Sequence, residues 1–167
     1  MAHDMLSELR QTRPFALPEE ELYLSLVRTA DVLGRGCHAV LKDARLSPPQ
    51  YNVLRILRGA GETGLPCGEI AARMVTRDPD VTRLLDRLEQ RGLITRGRGT
   101  EDRRVVSARI TATALDVLAG IDPVMQDLHR RQLGSLSAEE QTALLTQLMR
   151  IREALDTDPQ PATPADS

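Results

Sequence analysis

Arginine is the residue in this sequence best placed to do chemistry. Between Arg73 and Arg109 lie ten arginines and no lysine, against six acids (Asp78, Asp80, Asp86, Glu89, Glu101 and Asp102). Ten minus six leaves this segment at +4 inside a chain of net charge −2. A guanidinium is a planar fork of donors that matches phosphate oxygens and the edge of guanine. Arg83 is spaced to stand on a helix face with Asp80, Thr82, Asp86 and Arg87. There it can contact guanine O6 and N7 with both prongs, worth roughly 1–3 kcal/mol of discrimination. Asp80 can accept from a cytosine amino group or orient an arginine. Thr76, Arg77 and Thr82 suit phosphate contacts. Arg98, Arg103 and Arg104 stand on a polar tip, where an arginine can follow the backbone or enter a narrow minor groove. The plainer alternative is a solvated helix whose arginines are paired with acids, Asp86 with Arg83 and Glu89 with Arg87, beside an ordinary polar hairpin.

The elements that must position these groups follow from periodicity. Asp78-Pro79 predicts a cap and a first-turn proline, opening a helix that runs to Arg91 and stops at Gly92. Val81, Leu84, Leu85 and Leu88 fall at i, i+3, i+4 and i+7, so they face a core. Leu93–Arg96 and Val105–Ile110 read as two strands around a basic tip. A helix followed by a basic hairpin is the layout of a winged helix-turn-helix, which reads DNA.

Upstream, Pro18 opens a long helix predicted to reach about Arg45, loosened at Gly34 and Gly36. Ser47-Pro48-Pro49-Gln50 is a capping box that opens a helix ending at Gly59. Gly61–Gly64 is a turn, with a very short strand near Leu65. Glu69–Met74 is a short helix with Ile70, Ala71 and Met74 inward. Downstream, Thr111 caps a helix that Pro123 should kink and Gly134 should stop. Ser137-Ala138-Glu139-Glu140 is a second capping box, opening a helix striped with Leu144, Leu145, Leu148, Ile151 and Leu155. The predicted class is mainly α with a small β-hairpin wing. The terminal helices carry more apolar surface than one such chain can cover, which points to a helical dimer.

Composition narrows the function classes. Aromatic residues make up 2% and there is no Trp, which argues against stacking platforms for single strands. Cys37 and Cys67 form no disulfide framework, so reduced thiols and a cytoplasmic location are expected. No run approaches 18 apolar residues, so no membrane association is expected. No catalytic triad, paired-carboxylate or metal-ligand constellation stands out, and neither an enzyme nor a cofactor is expected.

These residues resemble the MarR-type transcriptional regulators. The match runs through Leu46-Ser47-Pro48-Pro49-Gln50-Tyr51-Asn52-Val53-Leu54 and Glu69-Ile70-Ala71-Ala72-Arg73-Met74. It continues through Val81 to Ile94, then Asp102-Arg103-Arg104 and Ile110-Thr111-Ala112-Thr113-Ala114. The resemblance implies a winged helix-turn-helix whose N- and C-terminal helices dimerise. It divides the chain into a flexible arm (1–17), a MarR-type domain (18–156) and a disordered tail (157–167). Within the domain, 18–45 and 112–156 would be dimerisation helices and 46–111 the DNA-binding lobe. It implies a homodimer on a pseudo-palindromic double-stranded operator, acting as a repressor released by a small ligand or by oxidation. The family's wing arginine falls on Arg104, with Asp102 bracing the tip. Two departures stand out: Pro66 where the family often has a capping Ser or Thr, and Ala114 where it commonly has Gly.

The signal is less specified. A small phenolic or aromatic carboxylate is the effector the resemblance implies, with no residues assigned to it. A urate-type ligand is disfavoured, because that subgroup uses a tryptophan. A thiol sensor through Cys37 or Cys67 is an alternative. So is a winged-helix module that docks an acidic protein. A metal site joining His38 or His129 to Cys37 or Glu69 has poor geometry, since Cys37 and His38 are adjacent on a helix.

Overall fold

The computed structural model describes residues 5–76, 80–98 and 106–157. It divides into two compact units, 1–128 and 129–167.

The first unit opens with α1 (Met5–Leu9), which lies within the predicted arm. Met5 is buried and Glu8 pairs with Arg28 at 2.7 Å, so this part of 1–17 packs on the following helix. That helix is α2 (Pro18–Lys42), with Glu19, Glu20 and Glu21 in its first turn, where the helix dipole favours acids. It runs unbroken through Gly34 and Gly36. A single glycine costs a helix only about 1 kcal/mol, so the expected loosening does not occur. It ends three residues before Arg45, which takes a left-handed φ of 52°.

The capping box predicted at Ser47 forms. Gln50 N donates to Ser47 Oγ at 3.4 Å, and Ser47 N donates to Gln50 Oε1 at 3.0 Å. It opens α3 (Pro48–Ala60), which buries Val53, Leu54 and Leu57. A 3₁₀ turn (Gly61–Thr63) leads into β1 (Leu65–Pro66) and α4 (Cys67–Arg73). This helix starts two residues earlier than expected, without a side-chain cap at Pro66. Ile70 is fully buried, whereas Ala71 faces out.

Next come α5 (Val81–Gln90), β2 (Ile94–Arg98) and β3 (Val106–Ile110). The cap of α5 is Asp80 rather than Asp78. Its side chain accepts from Arg83 N at 3.1 Å, and Asp78-Pro79 lie outside the described residues. The antiparallel sheet has the order β1-β3-β2, with Leu65 opposite Ala108 and Arg96 opposite Ala108 on the other side. Thr111 joins this sheet to α6 (Ala112–Leu133). Its hydroxyl meets the carbonyl oxygens of Gly92 at 2.8 Å and Leu93 at 3.1 Å, and accepts from Ala114 N at 3.2 Å. Helix α6 continues through Pro123 and buries Leu118, Ile121 and Met125.

The core lies between α3, α5, the sheet and α6. Leu85 and Leu88 are 0% exposed within it, which fixes the orientation of α5. Arg96 of β2 adds the polar half of that attachment. Its Nε and Nη2 donate to Glu89 Oε2 at 2.8 and 2.6 Å, and Nη2 also meets Asp86 Oδ1 at 2.6 Å. Its backbone N–H donates to Glu89 Oε1 at 3.1 Å. The Arg96 side chain is only 24% exposed. Hydrogen bonding to Arg96 holds the Glu89 carboxyl below its ordinary value of 4.5.

In the second unit, α7 (Ala138–Thr157) begins with the predicted box. Glu140 N donates to Ser137 Oγ at 3.2 Å and Ser137 N to Glu140 Oε2 at 2.7 Å. None of its residues is buried, and Leu145 is 61% exposed. No helix among the described residues is long and apolar enough to cross a membrane.

The packing around the sheet generates two predictions. Gly64 has φ +69°, and a Cβ there would collide with the carbonyl oxygen of Ala108. Gly64→Ala should therefore lower stability by about 1–3 kcal/mol in urea titration, through backbone strain and a displaced β1. The second concerns pH. A carboxyl with a depressed folded pKa contributes stability above its unfolded pKa and loses it as pH falls through the folded value. The difference in urea midpoint between the native chain and Arg96→Gln should thus be full at pH 7. It should shrink below about pH 4.5. A pH-independent difference would dismiss the Glu89 linkage.

Candidate nucleic-acid interface

Helix α5 presents two faces of opposite character. Leu84, Leu85 and Leu88 anchor one, and Thr82, Arg83 and Arg87 are exposed on the other. The Arg83 side chain is 78% exposed, and its Nε meets Asp80 Oδ2 at 3.0 Å. Asp80 therefore caps the helix with one oxygen and steadies an arginine with the other. Such a carboxylate keeps the fork in place until phosphate or a base edge competes for it.

The acids of α5 are arranged differently from the pairing expected of a solvated helix. Asp86 and Glu89 do not take Arg83 and Arg87; both are occupied by Arg96 from the strand. The sequence hid this because the partner sits across a turn rather than one helical turn away. The charge consequence is local. Arg96 offsets one of the two carboxylate charges beside the exposed arginines, and Arg87 has no acid partner among the described residues. A phosphate approaching this face meets less repulsion than the sequence implies.

Other arginines of the basic segment are structural. Arg91 Nη1 and Nη2 donate to the carbonyl oxygens of Arg45 at 2.7 Å and Ala44 at 3.0 Å, tying the end of α5 to the end of α2. Arg73 pairs with Glu69 at 2.7 Å, and Arg109 Nε donates to Thr63 O at 3.4 Å. Fewer of the ten arginines thus have a guanidinium fork free for a ligand than the count suggested.

Thr76 is exposed in the bend after α4, near the entrance to α5. The adjoining Val75 N donates to Asn52 Oδ1 at 2.8 Å, which ties this bend to α3. Arg98 ends β2 opposite Val106, at the base of the wing. Arg77, Asp102, Arg103 and Arg104 lie outside the described residues. The structure thus brings Asp80, Thr82, Arg83 and Arg87 together on one helix, with Thr76 before it and Arg98 on the strand that Arg96 ties to it.

Behind this face, α3 meets α6. Arg58 Nη1 and Nη2 donate to Asp122 Oδ2 and Oδ1 at 2.6 and 3.3 Å. Tyr51 is buried, with Arg55 5.8 Å over its ring, and that burial raises the phenol above its usual value of 10.0. Cys37 packs against the core half-buried, and Cys67 Sγ donates to Val106 O at 3.4 Å. Among the described residues, no three His, Cys, Asp or Glu side chains gather as a metal site.

Comparison with known proteins places this architecture. The model of the MarR family matches residues 46–106, which contain the described face. The HTH-type transcriptional repressor MdtR of Bacillus subtilis is 35% identical over 68% of this chain and 72% of its own. A MarR transcription factor from Planctomyces limnophilus is 39% identical, with a TM-score of 0.62 over 85% of this chain and 99% of its own. A point mutant of MarR from Escherichia coli, solved in complex with operator DNA, shares the fold at 23% identity. Its TM-score is 0.71, over 89% of this chain and 99% of its own. A capped, leucine-anchored helix, a strand-paired wing and these similarities lead to one conclusion: the chain belongs to the MarR family of winged helix-turn-helix transcriptional regulators.

Proposed function

We propose that this chain is a homodimeric, sequence-specific repressor that binds a pseudo-palindromic double-stranded operator and is released by a small ligand. The observation that carries the reading is the exposed Arg83–Arg87 face of α5, whose Asp86 and Glu89 are turned to Arg96 of the strand rather than to Arg83 and Arg87. Two similarities support it: a relative named as a repressor, and a protein of the same fold solved on operator DNA.

In this reading, Arg83 contacts a guanine edge, with Asp80 steadying it. Thr76, Arg77, Thr82 and Arg87 hold phosphates. Arg98, Arg103 and Arg104 belong to the wing, where Asp102 braces the tip. Residues 46–111 form the DNA-binding lobe, while 18–45 and 112–156 dimerise. The exposed Leu22, Tyr23 and Val27 of α2 and Leu144, Leu145, Met149 and Leu155 of α7 support that assignment, since a second copy would bury them. A small aromatic carboxylate matches the chemistry beside Tyr51, where Arg55 lies over the ring and Arg58 already holds a carboxylate.

The test is a gel-shift titration against the DNA upstream of the protein's own gene, with competitor DNA present. Arg83→Ala should weaken binding by about 1–3 kcal/mol and relax specificity at one base pair. Arg87→Ala and Arg104→Ala should weaken binding on all sequences. A dimer touching about ten phosphates gives a log–log salt slope near −9, and losing one contact per protomer flattens it by about 2. Unchanged binding in all three variants would reject the DNA-binding reading. Selective capture of an acidic protein instead of DNA would replace it.

A further inference from the structure

An open groove of about 420 Å³ runs between the end of α2 and the start of α6. Its apolar wall is Val40, Val117, Ile121 and Val124, and its charged rim is Asp43 and Asp116. No basic residue lines it, and neither aspartate has an ion-pair or hydrogen-bond partner among the described residues. The segment between α1 and α2 has the complementary composition. Arg10 and Arg13 are exposed there without an acidic partner among the described residues, next to half-buried Phe15 and Leu17, which is 60% exposed. This loop curls around a second cavity, of about 490 Å³, lined by its own residues 10–16 and Glu20. Its apolar side chains are therefore not fully seated in their own chain.

We propose that residues 10–17 of one copy seat in the α2–α6 groove of a second copy. Phe15 and Leu17 would cover the Val40–Val124 wall, and Arg10 and Arg13 would meet Asp43 and Asp116. The inference rests on the homodimer proposed above and specifies one of its contacts.

Symmetry supplies the geometry. In a two-fold dimer each patch meets its counterpart reciprocally. Helix α2 has 25 residues, a rod of about 37 Å, and carries Leu22, Tyr23, Val27 and Val32 exposed between residues 22 and 32. Two such rods packed antiparallel across the axis bring the start of each to the end of the other. Residue 17 then faces roughly residue 43, which delivers the loop to the groove. The same alignment sets Glu20 near Lys42 of the second copy, adding a pair of the right sign. Apolar contact supplies most of the attraction, and the charges fix the register.

The experiment reverses the charges on one side at a time. Arg10→Asp/Arg13→Asp changes the loop, and Asp43→Arg/Asp116→Arg changes the groove. Each variant alone has two repulsive contacts per homodimer and should raise the dimer dissociation constant by at least about tenfold. Mixed together, they restore opposite charges at both contacts. Native mass spectrometry should then show the mixed dimer well above the statistical half, and the quadruple variant should recover the native dissociation constant. If a double reversal fails to fold, Arg13→Asp with Asp43→Arg is the reserve pair.

A native chain that is monomeric at micromolar concentration would overturn the dimer reading together with this inference. A native dimer with no excess of the mixed species would overturn this inference alone, since a loop folded onto its own groove gives no such preference. Saturable binding of tetraphenylphosphonium to the native dimer, abolished by Asp43→Arg/Asp116→Arg, would overturn it too and assign the groove to a small hydrophobic cation instead.

Discussion

Arg96 has to satisfy two carboxylates of a neighbouring helix at once, and much else depends on that requirement. The fork is held at Nε and Nη2, and the backbone N–H of the same residue binds the second oxygen of Glu89. Side chain and main chain thus grip the same acid. A strand gripped at both points cannot twist freely relative to the helix. The wing's base and α5 are therefore joined at two points, although they are separate elements. Such an attachment is worth more for geometry than for stability, because its members are partly solvated.

The leucines complete the attachment from below. Leu85 and Leu88 leave no exposed area, so rotating α5 about its axis would expose apolar surface and open a cavity. Burial sets the rotation of the helix, and the ion triad sets its angle to the strand. Together they decide that Arg83 and Arg87 face outward. Arginines elsewhere in the segment serve the scaffold, as Arg91 does by holding the last carbonyls after α2.

The local grammar of the fold was legible in the sequence. The capping boxes at Ser47 and Ser137, the leucine stripe of α5 and the threonine cap at Thr111 are short-range patterns, and each closes within a few residues. The MarR resemblance was carried by the same stretches. Asp80 displaced Asp78 as the cap because both are capping residues two positions apart, and pattern alone does not choose between them. The partner of Asp86 and Glu89 was not legible for another reason. Helical spacing offers Arg83 and Arg87 as partners, but the strand brings Arg96 closer. Electrostatic partnership across a turn depends on sheet register, which periodicity does not encode. The helix within the arm was missed because five residues carry too little periodic signal.

Thr111 leaves one more consequence. Its hydroxyl is shared between the carbonyls that precede β2 and the Ala114 amide in the first turn of α6. One side chain thus serves as a hinge pin between a wing strand and a helix of 22 residues. A helix is a stiff lever, and a small rotation of its first turns becomes a displacement at the pin. Torque applied along α6 would reach the root of β2 through Thr111, beside the route through Leu118 and Ile121 in the core. The path is mechanical, short, and made of main-chain oxygens held by one threonine.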